Sequence, residues 1–502
     1  MADYRTPGVY IEEKNAFPGS AVAVNTAVPV FIGYTETAIR NGKDLTGSPV
    51  RISSFAEYHE IFGGGFKHKY KIEIAGKNAS NTFTSNNVKY VLSTKNRFYL
   101  YDAMRLFYSN GGADCYIFSV GGYFEKDSNT GLNTETVNKV SKDTLSSDKV
   151  WYELKKEIEP TLIVIPDAVS CADGDKNTDF YSIYQQVLNH CANMQSCFGI
   201  FDVLDGELAD NVVENFRTGI GTTFLNYGAA YYPWLKTAVV PASEIDHLNI
   251  DETSAGALTL EQLLNNDGQA KNVIAGIRNN IGDTKSQHQG LLASSPTYVS
   301  IINEIRSNLN TLPPSAAMAG IYTLIDNSRG VWKAPANVSV SNVSAPTVNV
   351  THEQQADLNV SPTTGKSINV IRPFPGIGTL VWGGRTLDGN SQDWRYINVR
   401  RTIIMIEQSL KLAIRAYVFE PNTADTWITI SSMINNFLNN LWKQGALAGA
   451  APEQAFDVQV GLGTTMTPTD ILDGKMLITV RLAISRPAEF IILTFQQMQQ
   501  QS

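Results

Sequence analysis

The chain has 502 residues, a net charge of −8, 43% hydrophobic residues and four cysteines. No stretch approaches the ~20 apolar residues of a membrane-spanning helix, and no Lys/Arg cluster is interleaved with aromatics as on a nucleic-acid surface. Cys115, Cys171, Cys191 and Cys197 form neither a CxxC pair nor a dense framework, which points to reduced thiols and synthesis in the cytoplasm.

Residues 1–20 read as an arm. Pro7, Gly8, Pro18 and Gly19 bracket an extended segment of Val9, Tyr10, Ile11 and Glu12. Tyr and β-branched residues favour a strand, and nothing nearby in sequence offers a hairpin partner. The opening residues contain no apolar signal region, so no signal peptide is expected. Buried-strand runs follow at residues 28–33, 115–120, 161–166, 198–203 and 229–233, with helical patterns at 100–110, 177–193 and 208–218. This alternation predicts a mixed α/β fold with helices packed on a sheet. Residues 63–97, 121–150, 244–290 and 337–366 are polar and read as surface insertions or loops.

Residues 313–337 read as one helix with marked ends. Pro313 and Pro314 suit its start. Ala316, Ala317, Ala319 and Gly320 permit close packing against a neighbour, Gly330 sits at the stop, and Pro335 bars continuation. From residue 371 a Pro/Gly-rich lead enters a strand. A helix is predicted over about 395–418, with apolar Tyr396, Val399, Ile403, Ile406, Leu410, Ala413 and Tyr417 opposite a polar stripe of Arg400, Glu407, Lys411 and Arg415. A second helix, about 424–443, carries Trp427, Ile430, Ile434, Phe437 and Leu441, with Asn422 or Thr423 as its cap. Strands follow at 455–460 and 476–484. The last element is 489–495, whose Phe490, Ile491, Ile492, Leu493, Thr494 and Phe495 form an apolar terminal strand. Unpaired apolar edges are aggregation hazards, so this strand and the N-terminal one must pair within the chain or with neighbours.

Charge is uneven. Residues 1–370 carry 29 positive and 38 negative side chains, and residues 371–502 carry 11 and 10. No two of the six histidines share a metal-ligand spacing. His190 with Cys191 and Cys197 does not match zinc spacing, and Lys67-His68-Lys69 reads as a solvated loop. Gly365-Lys366-Ser367 lacks the earlier glycine of a phosphate loop. No catalytic, cofactor or metal residue is assigned, and no cofactor is expected.

Several stretches resemble the contractile tail sheath family, the sleeves of phage tails and related injection systems. They are Tyr4-Arg-Thr-Pro-Gly-Val-Tyr-Ile-Glu-Glu13, Val28-Pro-Val-Phe-Ile-Gly33, Phe107-Tyr-Ser-Asn-Gly-Gly-Ala-Asp-Cys-Tyr116, residues 162–167 and 230–235, the 313–337 helix, and Trp382-Gly-Gly-Arg-Thr386 with Trp394-Arg-Tyr-Ile-Asn-Val-Arg-Arg401. The resemblance implies a non-enzymatic structural subunit. It implies stacked hexameric rings around an inner tube protein, with baseplate and terminal cap proteins as further partners, and neither nucleic acid binding nor membrane insertion. It implies an N-terminal arm (1–20), an outer α/β domain (21–370), an inner C-terminal domain (371–486) and a C-terminal arm (487–502). The arms would donate strands to neighbours' sheets at 455–460 and 476–484. Arg400, Lys411, Arg415 and Lys443 are candidates to face the tube. A non-contractile tube or shell protein is the alternative.

Overall fold

A computed structural model describes residues 21–76, 82–94, 96–127, 133–171, 176–209 and 211–494. It has two compact units: Asn25–Arg401 with the described residues from Arg486 on, and the smaller Thr402–Ser485 with the described residues up to Val24. The fold is mixed α/β, as the alternation predicts.

The larger unit is built on a nine-stranded sheet. Six strands run parallel in the spatial order Asn369–Phe374, Gly228–Tyr232, Phe198–Asp202, Leu162–Val164, Pro29–Thr35 and Cys115–Gly122. Pro49–Ile52 pairs antiparallel at one edge, and Gly378–Val381 with Val338–Ser339 at the other. Every residue of Pro29–Thr35, Phe198–Asp202 and Gly228–Tyr232 is buried. Strands covered on both faces require continuous apolar runs rather than alternation, which is why all five predicted strands are found.

The domain boundary expected at residue 371 is corrected. Ile371 and Val381 are fully buried in this same sheet, and the units divide between Arg401 and Thr402, within the helix Ile397–Ile414. The predicted long helix is thus shorter, and Arg415–Tyr417 follows it as a 3-10 turn.

The helix Ser315–Arg329 is buried at nearly every position to Ile325. It crosses Leu100–Ser109 so closely that a Cβ on Gly320 would lie 2.5 Å from the Phe107 carbonyl oxygen. Gly330 ends it at φ 87°, donating its N–H to the Asp326 carbonyl; that left-handed backbone favours glycine.

The insertions are folded, contrary to the reading as loops. Tyr70–Ile74, Thr82–Ser85 and Val88–Ser93 form a four-stranded sheet with Ile250–Asp251, and Tyr70 and Ile72 are buried. Their polar residues alternate with apolar ones, a period-two pattern that overall polarity hides. Residues 244–290 contribute the helices Leu260–Leu263, Ala270–Arg278 and Thr284–Ser294. Lys67-His68-Lys69 is not wholly solvated, because His68 is buried.

In the smaller unit Ala424–Lys443 buries Ile430, Met433, Ile434, Phe437, Leu438 and Leu441, one stripe at three-and-four spacing. Phe456–Val460 pairs antiparallel with Ile478–Leu482. Among the described residues this sheet has two strands only.

Candidate assembly interface

The two-stranded sheet is the first part of the site. Phe456–Val460 is half-buried throughout, while Thr479 and Arg481 alternate exposed with half-buried Ile478, Val480 and Leu482. A lone hairpin is marginal in water without more strands or a packed helix.

The C-terminal segment is the second part. The expected strand over 489–495 is not formed among the described residues. Phe490 to Thr494 carry no secondary structure, and Phe490, Ile491, Ile492 and Leu493 are 73%, 79%, 87% and 74% exposed. The residue before them is fixed. Glu489 accepts from Arg385 Nε at 3.0 and 3.1 Å, from Arg385 NH2 at 2.6 Å, from Asn359 Nδ2 at 2.8 Å and from the Tyr396 hydroxyl at 3.2 Å. Burial acts to raise its carboxyl, but the bonds from Arg385 and Asn359 prevail and hold it below the usual range. Val9, Tyr10, Ile11 and Glu12 of the N-terminal arm, and Phe495, lie outside the described residues.

The candidate tube-facing residues separate. Lys411, Arg415 and Lys443 are exposed. Arg400 is 4% exposed, its guanidinium over the rings of Tyr227 at 4.3 Å and Trp394 at 4.7 Å. This corrects its place on a solvent stripe, because residues 397–402 are buried around the whole helix.

Arg401, beside it, was not singled out. It donates to Asp326 at 3.0 and 2.6 Å and to the Thr26 carbonyl at 2.9 Å, and it lies over the Tyr322 ring. The ion pair is buried, with side chains 3% and 2% exposed. Asn398 Nδ2 also donates to the Trp332 carbonyl. Two of the stretches that resemble the sheath family, 313–337 and 394–401, therefore meet through buried polar contacts. Two adjacent arginines entering an apolar helix were the available signal.

Two buried carboxylates were also missed. Asp167 accepts from the backbone N–H of Tyr34, Tyr99 and Leu100 at 2.8, 2.6 and 3.1 Å. Asp202 accepts from the Ser315 N–H at 2.7 Å and its hydroxyl at 2.5 Å. Burial pushes the two carboxyls up to about 6 and about 7. Asp202 ends a parallel strand and Asp167 lies in the 3-10 turn just after one, and they cap the helices Ser315–Arg329 and Leu100–Ser109. A lone acid closing an apolar run was the sequence signal.

A cleft of about 630 Å³ in the larger unit is lined by Arg97, Tyr99, Glu207, Trp234, Lys236 and Glu304, among others. Its buried guanidinium donates to the Leu309 and Thr311 carbonyls. Cys191 and Cys197 bring their buried thiols within 3.3 Å. Among the described residues no group of three His, Cys, Asp or Glu is placed to hold a metal ion, and no helix is long and apolar enough to cross a membrane.

The family model for the phage tail sheath C-terminal domain matches residues 390–498. A tail sheath protein of Burkholderia phage BcepMu is 27% identical over 154 residues, 30% of this chain. That match spans 32% of the relative, so the chain covers about a third of its length. Solved structures match far more. The sheath complex of an extracellular contractile injection system, PVC, in its contracted state is 29% identical, with a TM-score of 0.60 over 99% of both chains. A chain of the six-fold symmetrised anti-feeding prophage baseplate is 30% identical, with a TM-score of 0.58 and 99% of both chains covered. With buried helix junctions at its most distinctive stretches and a likeness that runs from end to end, the chain belongs to the contractile tail sheath family.

Proposed function

We propose that this sheath subunit polymerises as stacked hexameric rings around an inner tube protein and contracts to drive the tube through a target envelope. The observation that carries this reading is a two-stranded sheet in the same chain as an exposed, unpaired apolar segment, Phe490 to Leu493. Strand addition satisfies both: main-chain hydrogen bonds supply the joint and alternate side chains the specificity. Val9, Tyr10, Ile11 and Glu12 are the second donor, and Phe456–Val460 with Ile478–Leu482 the acceptor. New contacts between subunits supply the free energy of contraction, so the subunit itself is not an enzyme. Baseplate and cap proteins bound the stack, which assembles in the bacterial cytoplasm. Likeness to a contracted sheath complex supports the moving part of this reading.

Tube contact falls to Lys411, Arg415 and Lys443, the exposed cations of the candidate set. Rim charges set recognition and association rate more than stability. Reversing all three should leave the melting temperature unchanged and abolish co-sedimentation with tube; normal co-assembly of the reversed variant refutes the assignment.

Negative-stain microscopy of the full chain and of a form lacking residues 1–20 tests the whole. Striated hollow cylinders that become loose rings on truncation are expected. Cylinders of a single diameter under every condition would favour a non-contractile tube instead.

A further inference from the structure

The exposed apolar segment leaves the protein immediately after a carboxylate that accepts five hydrogen bonds. Glu489 is held by three residues from separate places in the fold: Asn359 at the end of the helix His352–Asn359, Arg385, and Tyr396 just before the helix Ile397–Ile414. Arg385 is itself immobilised. Its N–H donates to Asn369 Oδ1, its carbonyl accepts from Asn369 Nδ2, and its NH1 reaches the Gly389 carbonyl. Asn369 begins a strand of the main sheet. The carboxylate is thus tied through one buried arginine, 5% exposed, to the main sheet of the larger unit.

Resting on the reading of residues 490–495 as an inter-subunit strand, we propose that Arg385, Asn359 and Tyr396 form a clamp on Glu489 that anchors the C-terminal arm and takes the load placed on it. Without the clamp, a pull on Phe490 would reach Ala483 and Ser485. Their backbone bonds to Ala448 and Ala446 lie next along the chain, followed by the hairpin strand Ile478–Leu482. Those bonds would open one after another from the chain end. With the clamp the load stops at an ion pair rooted in the main sheet, and the acceptor hairpin keeps its register while its own arm is under tension. The clamp also fixes the point from which the arm reaches a second copy of the chain, so less conformational freedom is lost when the strand docks.

The test uses the full chain, the chain lacking residues 490–502, and Glu489→Gln, under conditions where the wild type forms cylinders. Asn359→Ala and Tyr396→Phe each remove a single bond and stand in if Glu489→Gln melts lower than the wild type. Losing a charge-assisted hydrogen bond corresponds to about a tenfold shift in an opening equilibrium. Hydrogen exchange at the Ser485 and Ala448 amides, which bond to the Ala446 and Ala483 carbonyls, should therefore quicken about tenfold in Glu489→Gln, and the yield of pelletable cylinders should fall by about the same factor. Wild-type exchange and yield in Glu489→Gln, with no assembly by the truncated chain, would overturn the clamp and leave the arm reading standing. Normal assembly by the truncated chain would overturn both.

Discussion

Replacing Asp326 by Asn isolates the buried ion pair that joins two of the family-like stretches, 313–337 and 394–401. The amide keeps the shape and one acceptor oxygen, but sets an NH2 group against donors that now face a carboxylate: Arg401 NH2 at 2.6 Å and the Thr26 hydroxyl at 2.6 Å. The guanidinium stays 3% exposed with no counter-charge in contact. Removing one partner of a buried pair costs about 3–5 kcal/mol, because the other charge is left desolvated. For a unit of roughly 400 residues, unfolding entropy of about 2.1 cal/mol/K per residue converts that loss to a fall of about 4–6 °C in melting temperature. Scanning calorimetry of the unassembled subunit reads it directly. Replacing both partners, Asp326→Leu with Arg401→Met, should return to within about 2 °C of the wild type, since an apolar pair removes both desolvation terms. Melting of Asp326→Asn within about 1 °C of the wild type would refute the reasoning, and would mean that water or a backbone shift compensates the charge.

Three other predictions follow from single contacts. The folded Glu489 carboxyl lies below its unfolded value of about 4.3. The clamp is therefore at full strength above that pH and is lost as pH falls through the folded value. With Arg385 and Tyr396 as the groups facing it, the exchange difference between wild type and Glu489→Gln at the Ser485 and Ala448 amides should shrink as pH falls below the unfolded value; a difference that stays constant across that range counts against the clamp. Asp202 shifts the opposite way, to about 7 against an unfolded value near 3.9. Its contribution is present below the unfolded value and lost as pH rises through the folded one, so Asp202→Asn should gain about 3–4 kcal/mol on the wild type between pH 4 and pH 8. A constant difference in denaturant midpoint across that range refutes it. Gly320→Ala places its Cβ 2.5 Å from a backbone oxygen that cannot rotate away. Overpacking of about 1–3 kcal/mol should outweigh the better helix propensity and lower the melting temperature; an unchanged value means the two helices cross farther apart.

What the sequence made legible was set by burial. Strands covered on both faces must be apolar throughout, so 28–33, 115–120 and 198–203 could be found without knowing their neighbours. The helix Ala424–Lys443 showed its whole period because only one stripe is buried. The first turns of Ile397–Ile414 misled for the opposite reason. That end is buried all round, and a helix without a solvent face places its arginines by partner, so Arg400 lay on the polar side of the wheel while its guanidinium stacks on Tyr227 and Trp394. The insertions misled because composition averages over period. Tyr70–Ile74 is a half-buried strand whose polar residues face outward. The clamp on Glu489 was out of reach, because Asn359 and Glu489 are 130 residues apart and nothing local marks either.

The spatial order of the parallel strands bears on why this fold carries an assembly role. Taken in chain order the six strands lie as 2-1-3-4-5-6, so the sheet reverses direction between Pro29–Thr35 and Leu162–Val164. Open parallel sheets place their ligands in the crevice outside the strand ends at that reversal. Here the position is filled by the chain itself. Asp167 draws in the N–H groups of Tyr34, Tyr99 and Leu100, and a Cβ on Gly33 would collide with its carboxylate at 2.5 Å. One strand along, Asp202 does the same for Ser315. Freeing either carboxylate for chemistry would leave a buried helix terminus without acceptors, at a cost of about 1–3 kcal/mol for each N–H group exposed to an apolar surrounding. The fold spends its most reactive geometry on locking helices to the sheet. A contractile sheath subunit gains rigidity from these locks, while the apolar segment Phe490 to Leu493 stays exposed.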